Sequence, residues 1–359
     1  MREVPRVTIA VVPRETVTQV QASLETTVAH THLPYRLVIV DACYPAKTRR
    51  WLDAFAREHD ATLLRGDCAL TPTESHNAAL AVTDTEFVAF LDDNCFVREG
   101  WLDALLRCAD ETGAGVVGPL YGFRTSRRGR ETVHVFAGHA HVETVEGRRV
   151  LDDGHTHTGE PLDEAAAELT RQPAETVELH CALVRRSVFR DIGPMDEGLL
   201  SLREHLDLCM RARDAGFQVW VEPAAQAIFE LPIPIPWRDR PYFVFRWSRQ
   251  QNEQTLAHFA AKWDLDQEAA MTRAWPFVDQ TRQLAYHFRT RPFDRAFRKV
   301  AGRALGALDR TVEAGVVAYQ LRRRARSRGL RVAHAATWLD ASAFVTSTSG
   351  RRGVTAGTG

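Results

Sequence analysis

The sequence predicts an α/β fold built on a mostly parallel sheet with helices on both faces. Two observations predict it. Short apolar runs alternate with stretches of helical period over the first 117 residues, and polar breakers bound each run. A third observation is permissive: 359 residues, 45% apolar and 26% charged, are ample for a packed core of the ordinary globular kind.

In chain order, residues 7–12, 36–40, 61–64, 87–91 and 114–117 read as buried strands, being short and rich in β-branched or aromatic side chains. Residues 15–29, 48–59, 73–81 and 101–109 read as the helices between them; in the last, Trp101, Leu102, Leu105, Leu106 and Cys108 form one apolar stripe. Residues 121–177, rich in Arg, Gly, His and acids, are expected to be loops and hairpins over one sheet edge. A second α/β stretch follows, with strands at 178–184, 219–221 and 227–229 and helices at 186–192 and 205–215, the latter stopped by Gly216. Pro232, Pro234 and Pro236 mark a boundary, since alternate prolines continue neither helix nor central strand. The expected organisation is a domain over 1–235, a basic helical region over 236–345 and a disordered tail over 346–359.

Forty-six basic and 46 acidic side chains give a net charge of zero, which says nothing about where the charges sit. The six cysteines form no Cys-Xaa-Xaa-Cys pair, so a reducing, cytoplasmic setting is expected. No secretory signal is evident, and no run approaches the roughly 20 apolar residues of a membrane span.

Parallel sheets bind ligands at the carboxyl ends of their strands. That directs attention to Pro13-Arg14-Glu15, Asp41-Ala42 and Asp92-Asp93-Asn94. Carboxylates and an amide at a strand end suit a hard divalent cation on a diphosphate, or simply cap the next helix. Further on, Gly193-Pro-Met-Asp196-Glu197 precedes Glu204-His205-Leu206-Asp207-Leu208-Cys209-Met210-Arg211. Helical spacing puts Glu204, Asp207, Leu208 and Arg211 on one side, as catalytic acids or as an ordinary ion pair.

In order and spacing these motifs resemble the family 2 glycosyltransferases of GT-A fold. The matching positions are Pro13, Asp41, Asn77, Leu91-Asp92-Asp93-Asn94, Gly193 to Glu197 and Glu204 to Arg211, with Phe217 to Pro223 like the closing strand and His258 to Trp263 like a downstream Lys-Trp segment. The resemblance spans roughly residues 5–265. It implies a Rossmann-like GT-A domain with a C-terminal helical extension, moving a sugar from a nucleotide donor, UDP-linked or similar, to an acceptor hydroxyl with inversion. In that scheme Pro13, Glu15, Asp41, Asn77, Asp92 and Asp93 would bind the nucleotide. Asp92 and Asn94, with Glu230 as a replacement ligand, would hold Mn²⁺ or Mg²⁺ on the diphosphate. Glu204, His205 or Asp207 would take the acceptor's proton. The acceptor would be a glycan, a lipid-linked molecule or a small molecule.

The chain departs from the family pattern where it matters. Asn94 replaces the usual metal-touching Asp, His205 the usual acid after Glu204, and Phe229 the late His. Either the site is retuned or the fold is catalytically silent and serves as a nucleotide- or glycan-binding or scaffolding protein.

Two further features are peculiar to this chain. His134, His139, His141, His155 and His157 cluster within 24 residues, which suits either a borderline metal or a polar acceptor cleft. Residues 286–335 carry thirteen Lys and Arg against three acids, a net +10 that leaves −10 for the rest. With an interleaved apolar face, this stretch either lies on an anionic membrane surface, placing the protein at the inner membrane face, or packs on the catalytic body. Nucleic acid is disfavoured, because no binding motif accompanies the charge.

Overall fold

The computed structural model describes residues 4–284 and 295–339. Strands β1 (Val7–Val12), β2 (Tyr35–Ala42) and β3 (Thr62–Gly66) are joined by helices α1 (Val20–Ala29) and α2 (Ala46–Glu58). Helix α3 (Pro72–Leu80) leads to β4 (Phe87–Asp92) and β5 (Cys95–Val97), and α4 (Trp101–Thr112) leads to β6 (Val116–Arg124). The hairpin β7 (Thr132–Val145) and β8 (Arg148–Thr156) follows, with α5 (Leu162–Glu168) and β9 (Gln172–Ala174). The chain then forms β10 (Cys181–Arg185), α6 (Arg186–Ile192), α7 (Glu204–Asp214) and β11 (Val219–Glu230). Last come α8 (Arg240–Arg246), α9 (Arg249–Lys262), α10 (Gln267–Gln283), α11 (Arg295–Arg326) and β12 (Arg331–His334).

The main sheet runs in the order β12-β3-β2-β1-β4-β10-β6-β11-β5. From β3 to β4 it is parallel, as expected for buried apolar runs: β1 pairs with β2 and β4, and β2 with β3, while β12 joins the β3 edge antiparallel. The second half is mixed. β10 runs antiparallel between β4 and β6, because the excursion through β7 and β8 returns the chain to the sheet from the opposite end. Ile9, Leu37 and Leu91 pack on one face, and Ala10, Val38 and Phe90 on the other. Every residue of β1 and β4 is buried, which fixes the ends of both strands as rigid supports.

Three elements differ from the sequence expectation. Helix α1 starts at Val20 rather than near Glu15. Distant Asp239 accepts from Val17 N at 2.8 Å, Thr18 N at 3.1 Å and Thr18 Oγ1 at 2.6 Å, so these donors need no local helix. The two short strands expected at 219–221 and 227–229 are one, β11, bent by a register shift between Glu222 and Gln226 around Pro223. The largely helical C-terminal region also contributes a strand, β12, which closes the exposed edge of β3.

Part of the basic tail packs on the body. Val317 of α11 is buried with Ala69 and Phe245. Arg323 donates to Asp67 O at 2.5 Å, and Arg324 pairs with Glu74. Arg289 and Arg291 and the expected tail over 346–359 lie outside the described residues. Among the described residues, no helix is long and apolar enough to cross a membrane.

Phe90 anchors β4 to the helices beneath it, meeting His76 edge-on at 4.7 Å and Phe189 at 5.9 Å between ring centres. Phe90→Ala is expected to cost about 3–5 kcal/mol through lost burial and a residual cavity, read as a lowered urea midpoint with an unchanged denaturant slope.

Candidate active site

The carboxyl ends of β1 and β4 lie side by side, with Val12 opposite Asp92. Arg14, two residues beyond β1, is thereby directed at Asp92: its Nε is 3.2 Å from Asp92 Oδ2, and its Nη1 is 3.1 Å from Glu204 Oε1 at the start of α7. Its side chain is only 7% exposed. A second arginine, Arg246 of α8, lies 3.2 Å from Glu15 Oε2 and 3.8 Å from Glu204 Oε1. Two buried guanidiniums thus hold three buried carboxylates. Burial raises the Asp92 pKa to about 6, against the pull of Arg14. Burial pushes Glu204 the same way, but Arg14 and Arg246 prevail and hold it below the usual carboxylate value.

Two buried oxygens here, Asp92 Oδ1 and Asn94 Oδ1, have no hydrogen-bond partner among the described residues, and neither do the two carboxylate oxygens of Glu204. Asp93 is committed elsewhere: its Oδ2 accepts from Tyr44 Oη at 2.5 Å and its Oδ1 from Arg14 N at 3.3 Å. Asp41 is fully buried, accepting from Tyr44 N at 2.7 Å and Arg65 Nε at 2.7 Å. Pro13, which is buried, lines the same pocket as Glu15, whose carboxylate accepts from Trp247 Nε1 at 2.8 Å.

Several residues singled out from the sequence lie outside this cluster. Glu230, expected as a replacement metal ligand, has both oxygens engaged, by Gln19 Nε2 at 2.7 Å and Arg124 Nε at 2.6 Å. It supports Asn94 instead, through its backbone carbonyl, which accepts from Asn94 Nδ2 at 3.3 Å. Asp207 faces Lys262 at 2.7 Å and Trp263 Nε1 at 3.1 Å. Lys262 also grips Asp196 at 2.7 Å, so these motif residues latch α7 to α9. Asn77 ties down the same loop, donating to Met195 O and Glu197 Oε1, both at 2.9 Å.

The side of Asp92 toward β7 and β10 is built from histidines. His180 Nδ1 lies 2.7 Å from Asp92 Oδ2, and its ring stacks on Phe229 at 4.1 Å. His134 approaches His180 with ring centres 5.3 Å apart. Burial lowers both pKa values to about 3, so both rings are neutral at physiological pH. His205 turns away from Asp92 to place Nε2 3.4 Å from Glu178 Oε1. Burial opposes the charge of Glu178, but His205 and the neighbouring histidines hold its carboxylate well below the usual range. His139 and His141 lie apart on the hairpin, where His141 Nδ1 meets Glu175 at 2.8 Å.

Arg14 stood in the sequence among residues following a strand, without a role. Arg246, Glu178 and His180 carried no motif signal, because their partners are far away in the chain.

The pocket beside Pro13 and Glu15 is closed by Tyr242, Phe245 and Arg246 of α8, leaving about 20 Å³. That is room for about one water molecule, against the roughly 300–1,000 Å³ of a ligand pocket.

Comparison with known proteins bears on the family and the fold. Two curated proteins from Mycobacterium tuberculosis, from the CDC 1551/Oshkosh and H37Rv strains, are similar; both are named pre-mycofactocin glycosyltransferase. Each is 30% identical over 196 residues, covering 53% of this chain and 36% of the relative, so the match spans about a third of the relatives' length. A crystal structure of GalNAc-T7 with UDP, GalNAc and Mn²⁺ superposes with a TM-score of 0.51 at 10% identity, covering 80% of this chain and 57% of that one, a likeness of fold. The family model described as glycosyl transferase family 2 matches residues 14–193, a stretch that starts at Arg14 and runs through Asp92 to Gly193. With half the chain matched and the strand-end acids set in a GT-A sheet, this protein belongs to glycosyl transferase family 2.

Proposed function

We propose that the chain transfers a sugar, with inversion, from a nucleoside-diphosphate donor to an acceptor hydroxyl, assisted by a divalent cation. The observation that carries this reading is the bridge of Arg14 between Asp92 and Glu204 at the carboxyl ends of β1 and β4. A donor diphosphate brings negative oxygens to compete for Arg14 and Arg246. As the sugar leaves, those guanidiniums meet the charge growing on the diphosphate, and being already in place they need no reorganisation. Drawing Arg14 toward the diphosphate weakens its hold on Glu204. Glu204 then becomes the better proton acceptor for the attacking hydroxyl, a role typically worth about 10²- to 10⁴-fold in rate.

The fit for a cation rests on the two partnerless buried oxygens, Asp92 Oδ1 and Asn94 Oδ1, which are hard donors suited to Mn²⁺ or Mg²⁺. When bound there, the ion would supply further neutralisation of the leaving diphosphate.

A second reading, a silent GT-A fold that binds without turnover, is favoured by one observation, the 20 Å³ left in the pocket beside Pro13. On the transferase reading, α8 moves when the donor enters. Donor hydrolysis and transfer assays with UDP- and GDP-sugars, with Mn²⁺ or Mg²⁺ and with pre-mycofactocin as the first acceptor to try, separate the two. Turnover abolished by Asp92→Ala supports transfer; nucleotide binding without turnover of any donor supports the silent fold.

Two further outcomes are expected. Glu204→Gln should lower kcat by about 10²- to 10⁴-fold while nucleotide affinity, read by thermal shift, changes little. Arg14→Met strands two buried acids and should destabilise the fold by about 3–5 kcal/mol at neutral pH. With Arg14 gone, the folded-state pKa values of Asp92 and Glu204 rise above their unfolded values. The folded chain then holds more protons, so stability falls as pH rises through those pKa values. The deficit against wild type in thermal melts should therefore be larger at pH 8 than at pH 5.

A further inference from the structure

We propose that His155, Glu178 and His205 bind a single divalent transition-metal ion of the zinc type, at a site separate from Asp92 and Asn94. The three side chains come from the end of β8, the turn before β10 and the first turn of α7, and their ligand atoms all lie within 4.8 Å of one another. His205 Nε2 is 3.4 Å and His155 Nε2 is 3.8 Å from Glu178 Oε1.

These separations are not those of hydrogen bonds. Hydrogen-bonded imidazole–carboxylate pairs elsewhere stand at 2.7 Å (His180–Asp92), 2.8 Å (His141–Glu175) and 3.0 Å (His258–Asp196), while on the more exposed part of the hairpin His139 and His141 lie 3.5 and 3.7 Å from Asp152. Among the described residues, no side chain donates a hydrogen bond to the Glu178 carboxylate, although its side chain is only 10% exposed. Ligands about 2.0–2.1 Å from a tetrahedral zinc ion lie roughly 3.4 Å from each other, so 3.4 and 3.8 Å suit atoms that share an ion.

The surroundings hold the ligands in place. Arg203, just before α7, donates to Asp153 on β8 at 2.5 Å, clamping the strand of His155 to the helix of His205. Gly138 leaves room for two neighbours: a Cβ there would lie 2.5 Å from Thr176 Cγ2 and 2.9 Å from His155 Nδ1. Two imidazoles and a carboxylate form the donor set of catalytic zinc sites, which keep a fourth position for water or substrate. If the transferase reading is right, that fourth position would receive an oxygen of the acceptor, and this clause alone depends on that reading.

The test is titration of the chelator-treated full chain with Co²⁺, followed by competition with Zn²⁺. One equivalent of Co²⁺ should bind with the visible absorption of a four-coordinate ion. His155→Ala and Glu178→Gln should each weaken binding roughly 100-fold, the upper end of what losing even an outer partner costs a metal site. Asp92→Asn should leave it unchanged. His155 stands at the exposed end of the hairpin, so an unaltered melting curve for His155→Ala shows that the fold is retained. Absence of the Co²⁺ spectrum, its survival in both ligand variants, or its loss in Asp92→Asn would overturn the proposal. Metal binding without turnover of any donor would leave this site standing and remove the transferase reading; turnover without Co²⁺ binding would do the reverse.

Discussion

Arg14 joins three parts of the chain that are far apart in sequence: the end of β1, the end of β4 and the start of α7. Asp92 and Glu204 are both essentially inaccessible to solvent. A buried carboxylate without a counter-charge costs several kcal/mol, so neither could stay ionised there alone. One guanidinium serves both, and Arg246 reinforces it while also holding Glu15. The arrangement can persist only if the strand ends are rigid, and the complete burial of β1 and β4 makes them so. Packing of the parallel strands and placement of the charged cluster are therefore one constraint.

How legible each part was in the sequence follows from the range of its interactions. β1, β2 and β4 are continuous apolar runs whose burial on both faces leaves a local signature, and so are Asp92 and Asn94 at a strand end. The start of α1 was not legible, because Asp239 supplies its turn's acceptors from some 220 residues away. The fate of Glu230 depends in the same way on Gln19 and Arg124. Glu204 and Asp207 illustrate a finer limit. Three residues apart on a helix, they differ by about 60° in direction and ~4.5 Å in height, enough to send one toward Arg14 and the other toward Lys262. Spacing indicated a shared side of the helix but could not resolve partners that arrive from α8 and α9.

The zero net charge of the chain is likewise resolved by distance. Residues 286–335 carry +10 and the rest −10, and part of that difference is settled inside the molecule. Arg323 and Arg324 reach back to Asp67, Ala69 and Glu74, beside α3. In the same region Val317 packs with Phe245 of α8, the helix whose Tyr242, Phe245 and Arg246 close the pocket at Pro13. The basic tail is thus mechanically linked to the pocket at Pro13: α11 supports α8, and α8 closes the pocket. Any motion that admits a nucleotide must either carry these contacts along or break them.

The two sides of Asp92 differ in how they handle charge. Toward α8, three acids and two arginines form a fully ionic cluster, in which binding an anion is an exchange of partners. Toward β7 and β10, His134 and His180 are neutral at physiological pH, their pKa values held near 3 by burial. Phe229, stacked on His180 at 4.1 Å, gives that wall an apolar backing. Among the described residues, no arginine lies within ion-pairing distance of the Glu178 carboxylate on this side, which faces the imidazoles of His155 and His205 instead. The neutral imidazoles of His134 and His180 suit a hydroxyl-bearing ligand, because hydroxyls need hydrogen-bond partners but no counter-ion. On the proposed reading, the arginine side would meet the anionic donor and the histidine side the acceptor hydroxyl, with Asp92 at the junction between them.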